Sequence, residues 1–148
     1  MKRMHIHISV DDIESNVRFY SAVFASDPSV IKPDYAKWML TDPKVNFAIS
    51  SKGAKPGLDH LGIQVESAEE LSEIKARLER ASLPIIEQNK TACCYAESDK
   101  YWTQDLQGIP WEAFHSLASV PVFGGKPKFQ ITSESTSCCS PSFKGQCG

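Results

Sequence analysis

An internal repeat limits what this chain can fold into more than any other feature. His5 and His60 lie 55 positions apart, and the helix-start signals at Asp11 and Ser67 lie 56 apart. One architecture used twice is a stronger constraint than any single element. In the first copy, residues 4–10 alternate as a strand. Asp11 then reads as an N-cap, with Glu14 three residues on in a capping-box-like arrangement. Ile13, Val17, Tyr20 and Phe24 follow at helical spacing, and Asp27-Pro28 ends the run. Short strands are expected around 29–31, 36–41 and 45–50, separated by Pro33-Asp34 and Asp42-Pro43 turns. After the polar connector 51–57 the pattern restarts. Residues 58–66 alternate, and Ser67 with Glu70 makes a second capping box. Leu71, Ile74, Leu78 and Ala81 carry the next apolar stripe, and Pro84 closes the helical region. Strands are expected around 85–87, 92–97, 101–104 and 109–115.

The reading is an α+β domain over residues 1–120. Two βαβββ modules, about 1–50 and 58–118, pair into one curved, cup-shaped mixed sheet. Residues 121–148 are polar, rich in Ser and Pro and without periodicity, and read as a loosely packed tail. Such a cup can be built within one chain or across a homodimer from the same modules.

Composition narrows the partners. A net charge of −2 with scattered basic residues gives no reason to expect nucleic acid or an anionic membrane. No apolar run approaches the ~20 residues of a bilayer span. The N-terminal residues lead straight into a strand, so no signal peptide is expected. Five cysteines, including the adjacent pairs Cys93-Cys94 and Cys138-Cys139 with a single Cys147, make a poor disulfide framework. They fit a cytoplasmic protein that keeps thiols for ligation or redox chemistry.

Chemistry is expected on the concave face of the cup. His5 opens the first strand, His60 holds the corresponding place in the second, and Glu112 lies on the last strand. Two imidazoles and a carboxylate with open positions form the facial triad of non-haem Fe(II) oxygen chemistry. His7, two residues from His5, shares its face; the repeat selects His5, which leaves His7 as a pocket wall or a support for the ligands. His115 is three residues from Glu112 and falls on the opposite face. The strand around 45–50 offers no Glu, Gln, His or Cys, so a carboxylate from each module is not expected. Cys93 and Cys94 would face opposite ways on a regular strand but could both meet one soft ion on a turn. Lys90 and Lys100 are candidates for lowering their pKa values. Tyr35, Trp38, Phe47 and Trp102 could wall the pocket, although core packing is the usual role of large aromatics.

The run HIHISVDDIESNVRFY from His5 to Tyr20, the run HLGIQV from His60 to Val65, and Pro110-Trp111-Glu112 resemble the vicinal oxygen chelate (glyoxalase/bleomycin-resistance) superfamily over residues 1 to about 118. Within it, KPDYAKWML from Lys32 to Leu40 and ACCYA from Ala92 to Ala96 resemble the ArsI-type carbon–arsenic lyases, and CadI-type proteins are similar. The resemblance implies Fe(II)-dependent, O2-consuming cleavage of the C–As bond in trivalent organoarsenicals such as methylarsonous acid. It places the metal ligands on His5, His60 and Glu112 and the arsenic-binding pair on Cys93 and Cys94. Two thiolates suit a monoalkyl As(III) species, which has two exchangeable hydroxyls, and the thiol loop could close over the iron. The rival readings are a non-enzymatic Cd(II)- or As(III)-sequestering protein, a glyoxalase I-like isomerase and an extradiol dioxygenase.

Overall fold

A computed structural model of the chain describes residues 1–52, 55–93 and 96–119; for 90–93, 96–97 and 118–119 it describes the backbone alone. The first module comprises β1 (Arg3–Ser9), α1 (Ile13–Phe24), β2 (Val30–Lys32), β3 (Tyr35–Thr41) and β4 (Lys44–Ser50). The second comprises β5 (Gly57–Val65), α2 (Ala68–Arg80), β6 (Ile86–Cys93), β7 (Ala96–Gln104) and β8 (Pro110–Ser119). All eight strands form one mixed sheet in the order β2-β3-β4-β1-β5-β8-β7-β6. β1 and β5 meet antiparallel at the centre, with Ile6 opposite Leu61. Each then pairs in parallel with its own module's last strand, β4 or β8. The expected modules and mixed sheet are therefore present.

Strand alternation sorts the residues onto two faces. On β1, His5, His7 and Ser9 are buried on one face, while Ile6 and Ile8 turn to the other and pack against Ile13, Trp38, Phe47 and Ile49. The α1 stripe of Ile13, Val17, Tyr20 and Phe24 covers that apolar face. In the second module Leu71, Ile74 and Leu78 of α2 pack on Ile63, Val65, Tyr101 and Ala113. Both helices thus cover the apolar side, and the polar side of the central strands is left to line the cup.

Three local expectations are corrected. The cap of α1 is Asp12, not Asp11: its Oδ1 accepts the Ser15 N–H at 2.7 Å, and Glu14 pairs with Arg18. Asp12 stands three residues before Ser15, the spacing a capping side chain needs. The helix ends at Phe24, ahead of Asp27-Pro28, because Ala25 takes a left-handed conformation (φ 48°). In the second helix Ser67 caps as expected, accepting from the Glu70 N–H at 3.3 Å, but Ala81 is the C-cap instead of part of the stripe.

The third correction concerns the expected strand over 92–97. Cys93 ends β6 and Ala96 begins β7, the two forming the last pair of an antiparallel hairpin. β7 then runs unbroken through Ser98, Asp99 and Lys100, a stretch that reads as a turn. Ser98 and Lys100 are buried polar residues on the cup side, so tertiary surroundings outweigh local turn chemistry here. Among the described residues no helix is long and apolar enough to cross a membrane.

Candidate metal centre

The polar faces of β1, β5, β7, β8 and β4 converge on a small cavity of about 50 Å³ lined by His5, His7, Asn46, His60, Lys100 and Glu112 among others. The centre of the sheet brings the two histidines together. His5 Nε2 lies 3.2 Å from His60 Nε2, and Glu112 Oε2 lies 3.5 Å from His60 Nε2 and 3.9 Å from His5 Nε2. An octahedral ion with bonds of about 2.1 Å sets neighbouring ligand atoms about 3 Å apart. The three atoms are therefore close to the spacing of one face of such an ion.

The outer nitrogens are tied down. His5 Nδ1 donates to the Asn46 backbone carbonyl at 2.9 Å, and His60 Nδ1 meets Asp59 Oδ1 at 2.6 Å. A ligating histidine held in this way has its tautomer and ring orientation set in advance. Asp59 reaches its neighbour because of a bulge: His7 pairs with His60 and Ile8 with Leu58, so Asp59 is skipped by the ladder. A bulge re-aims a side chain that alternation would send elsewhere. Ser9 Oγ steadies the other oxygen, Oδ2, at 3.2 Å. Glu112 is held similarly, with Lys100 Nζ donating to Oε1 at 2.6 Å and Oε2 left on the histidine side.

Burial and charge set the protonation of the centre. Burial, only partly offset by Glu112, holds His5 down at about 4. Burial also opposes charge on His60, but Asp59 and Glu112 outweigh it and push that imidazole up to about 9. Glu112 would be raised by burial, yet Lys100 and then His60 and His5 hold it well below the usual carboxylate range. The protonated form of His60 is therefore favoured near neutral pH, with its Nε2 facing both Glu112 Oε2 at 3.5 Å and His5 Nε2 at 3.2 Å. An ion entering between these atoms displaces the Nε2 proton.

His5, His60 and Glu112 are thus side by side, and His7 joins them: one donor atom each from His5, His7 and His60 lies within 4.8 Å of the others. His115 lies on the α2 side of β8, half-buried, its Nδ1 without a hydrogen-bond partner. Lys100 is committed to Glu112; the Lys90 side chain lies outside the described residues. The backbone of Cys93 is two pairs beyond Thr91↔Ser98 on the hairpin, and Ser98 lines the cavity. Two pairs span about 7 Å. Cys94, Cys138, Cys139 and Cys147 lie outside the described residues. Of the aromatics, Tyr35 lines the cavity and Trp102 contacts the His60 ring edge-on, with centroids 5.1 Å apart, while Trp38 and Phe47 belong to the core.

Two contributors, Asp59 and Asn46, were not legible in the sequence as site residues, and Lys100, singled out there beside the cysteines, serves Glu112 instead. Asp59 depends on the bulge, and Lys100 on an unbroken β7. Asn46 sits in the strand read as apolar, yet it is buried on the cavity side, with Nδ2 donating to Gln64 at 2.9 Å and Oδ1 buried without a partner. Its pairing with His5 on neighbouring strands was the available clue.

No family model matches the chain. The fold is of the vicinal oxygen chelate type: an extradiol ring-cleaving dioxygenase from B. fuscum superposes with a TM-score of 0.60 at 17% identity, over 80% of this chain and 33% of that one. A trivalent organoarsenical cleaving enzyme of Bacillus sp. (strain MD1) is 37% identical over 95% of this chain and 92% of its own length. The cadmium-induced protein CadI of Mycobacterium tuberculosis is 34% identical over 94% and 93%. The chain belongs to the family that these two represent, the trivalent organoarsenical cleaving enzymes and their CadI relatives.

Proposed function

We propose that this chain is an Fe(II)-dependent, O2-consuming carbon–arsenic lyase that acts on trivalent organoarsenicals and releases arsenite in a reducing, cytoplasmic setting. The supporting observation is the convergence of His5 Nε2, His60 Nε2 and Glu112 Oε2 beside the hairpin that carries Cys93, in a chain so similar to an organoarsenical cleaving enzyme. The donor set suits the ion: two imidazoles and one carboxylate leave positions open for small molecules. Bound there, Fe(II) supplies the Lewis acidity and the O2 chemistry that the C–As scission requires.

The chain's own residues supply positioning. Cys93 and Cys94 exchange for the two hydroxyls of a monoalkyl As(III) species, with release of two waters, which leaves the carbon–arsenic bond intact and oriented. Asp59 and the Asn46 carbonyl hold the imidazoles. Lys100 keeps Glu112 ionised and occupies one of its oxygens, and Tyr35 and Phe114 wall the cavity.

The test measures O2 uptake and arsenite release together, with Fe(II) and methylarsonous acid. Cys93→Ser and Cys94→Ser should each abolish release while iron stays bound. Stoichiometric arsenical binding without arsenite release would point to a sequestering protein. Activity retained in both variants would remove the thiols from the mechanism. Anaerobic turnover of a glutathione hemithioacetal with Ni(II) or Zn(II) would favour the isomerase.

A further inference from the structure

The two modules are related by a quasi-two-fold centred where Ile6 pairs with Leu61. It superposes His5 on His60, and it also superposes His7 on Gly62 and Ala48 on Glu112. In the second module Gly62 on the inner strand pairs with Glu112 on the outer strand. In the first module the inner strand carries His7, and its outer partner is the fully buried Ala48. The two halves have exchanged places: one presents a carboxylate beside a residue with no side chain, the other an imidazole beside the smallest one. Gly62 has no room for more, since a Cβ there would come within 2.3 Å of the Glu112 carbonyl oxygen. Ala48 leaves the corresponding space to a ring.

We infer that His7 is a fourth protein ligand of the metal centre, occupying the place in the first module that Glu112 occupies in the second. The ion would then be held by three imidazoles and one carboxylate, with two of six positions left open. Ring positions fit this assignment. The centroids of His7 and His60 are 4.7 Å apart, those of His5 and His60 5.1 Å, and those of His5 and His7 6.1 Å. An ion about 2.1 Å from an imidazole nitrogen sets two cis ring centroids about 4.6 Å apart and two trans ones about 6.5 Å apart. The His7–His60 separation matches the cis value, His5–His60 lies nearer the cis value, and His5–His7 lies nearer the trans value. His7 is also anchored as a ligand would be, with Nε2 on Ser50 Oγ at 2.8 Å, just as Asn46 and Asp59 anchor the other two rings. A third imidazole favours later first-row ions such as Co(II) and Zn(II) over Mn(II).

This inference rests on the metal-centre reading but not on the arsenic chemistry, so its test needs no substrate. The full chain is loaded anaerobically with Co(II), and its hyperfine-shifted, solvent-exchangeable imidazole N–H resonances are counted by proton NMR. Three are expected. Two would overturn the assignment while leaving a His5–His60–Glu112 centre intact, and no Co(II) uptake at all would overturn both. His7→Ala should lose one resonance, keep the other two and bind Co(II) at least tenfold more weakly, with a smaller loss for Mn(II). Unchanged Co(II) affinity and spectrum in that variant would also overturn it. Should that variant fail to fold, the wild-type count decides alone.

Discussion

Gly62→Ala tests whether the seam between β5 and β8 sets the metal centre. Gly62 pairs with Glu112, and its φ is not positive, so alanine meets no backbone obstacle there. The obstacle is space: the added Cβ would lie 2.3 Å from the Glu112 carbonyl oxygen, 3.2 Å from its carbonyl carbon and 3.3 Å from its Cβ. Optimal contacts between non-bonded carbons lie near 3.5–4.0 Å, so the strands must separate by roughly 1 Å. Overpacking of this kind costs about 1–3 kcal/mol. At about 2–4 °C per kcal/mol, the melting temperature of the metal-free protein should fall by about 2–12 °C. The same separation carries Glu112 away from His60, whose Nε2 is 3.5 Å from Oε2. Co(II) affinity should therefore drop about tenfold or more, which corresponds to about 1.4 kcal/mol. Calorimetric melting and a Co(II) titration read the two effects. Gly57→Ala is the control, because its φ of 134° penalises alanine although nothing lies within 4 Å. It should lower the melting temperature and leave Co(II) affinity unchanged. A Gly62→Ala protein that melts within a degree of wild type and binds Co(II) equally well would refute the steric argument.

The titration of the two histidines makes the metal-free protein pH-sensitive in opposite directions. His60, raised from 6.5 to about 9, contributes stability that is full below 6.5 and lost as pH rises through 9; His5, depressed to about 4, contributes stability that is lost as pH falls from 6.5 to 4. Their joint contribution peaks near pH 6.5, and melting temperatures at pH 5, 6.5 and 9 check it. Near pH 7, Co(II) binding should release about one proton, read by calorimetry in two buffers of different ionisation enthalpy, and no release would contradict the assignment of His60. Lys100→Met leaves the buried Glu112 with His60 as its remaining cationic partner, so the metal-free protein should lose up to about 3–5 kcal/mol in denaturant melts and recover part of it on adding Co(II). Asp59→Asn should weaken Co(II) binding by about 10–100-fold and shift the proton release to lower pH, because His60 loses its charged partner.

The fold was legible because two periodicities repeat at one offset. Alternation in β1 and β5 and helical spacing in α1 and α2 each recur, with the N-caps Asp12 and Ser67 at corresponding places. His5, His60 and Glu112 were legible for the same reason, since period-two alternation places each on the polar face of a central strand. What the pattern could not show depends on departures from regularity or on contacts between distant strands. Asp59 acts through a bulge that alternation does not announce. Lys100 sits in Glu97-Ser98-Asp99-Lys100, a run whose polarity suits a turn, and only Glu112 across the β7–β8 ladder explains why it stays inside. Asn46 is one polar residue in an apolar strand, and its backbone carbonyl, not its type, is what anchors His5.

These hidden contributors share a physical role that explains their placement. Each donor atom at the centre is buried, and a buried imidazole or carboxylate needs a partner for every polar atom not given to an ion. The partners come from different strands: Asn46 from β4 serves His5 on β1, Ser9 on β1 steadies Asp59 on β5, and Lys100 on β7 serves Glu112 on β8. The central sheet order β4-β1-β5-β8-β7 is thus crossed by hydrogen bonds on its polar face as well as by its backbone ladder. The complete metal centre therefore needs the two modules paired, since the second holds His60 and Glu112 and only the meeting of β1 with β5 brings in His5. The first module adds His5 with its anchor Asn46, and the second adds His60 with Asp59 and the Glu112–Lys100 ion pair. Placing the carboxylate on only one side leaves its counterpart in the first module to the fully buried Ala48, and the His7 ring, held by Ser50 at 2.8 Å, fills the polar face beside it.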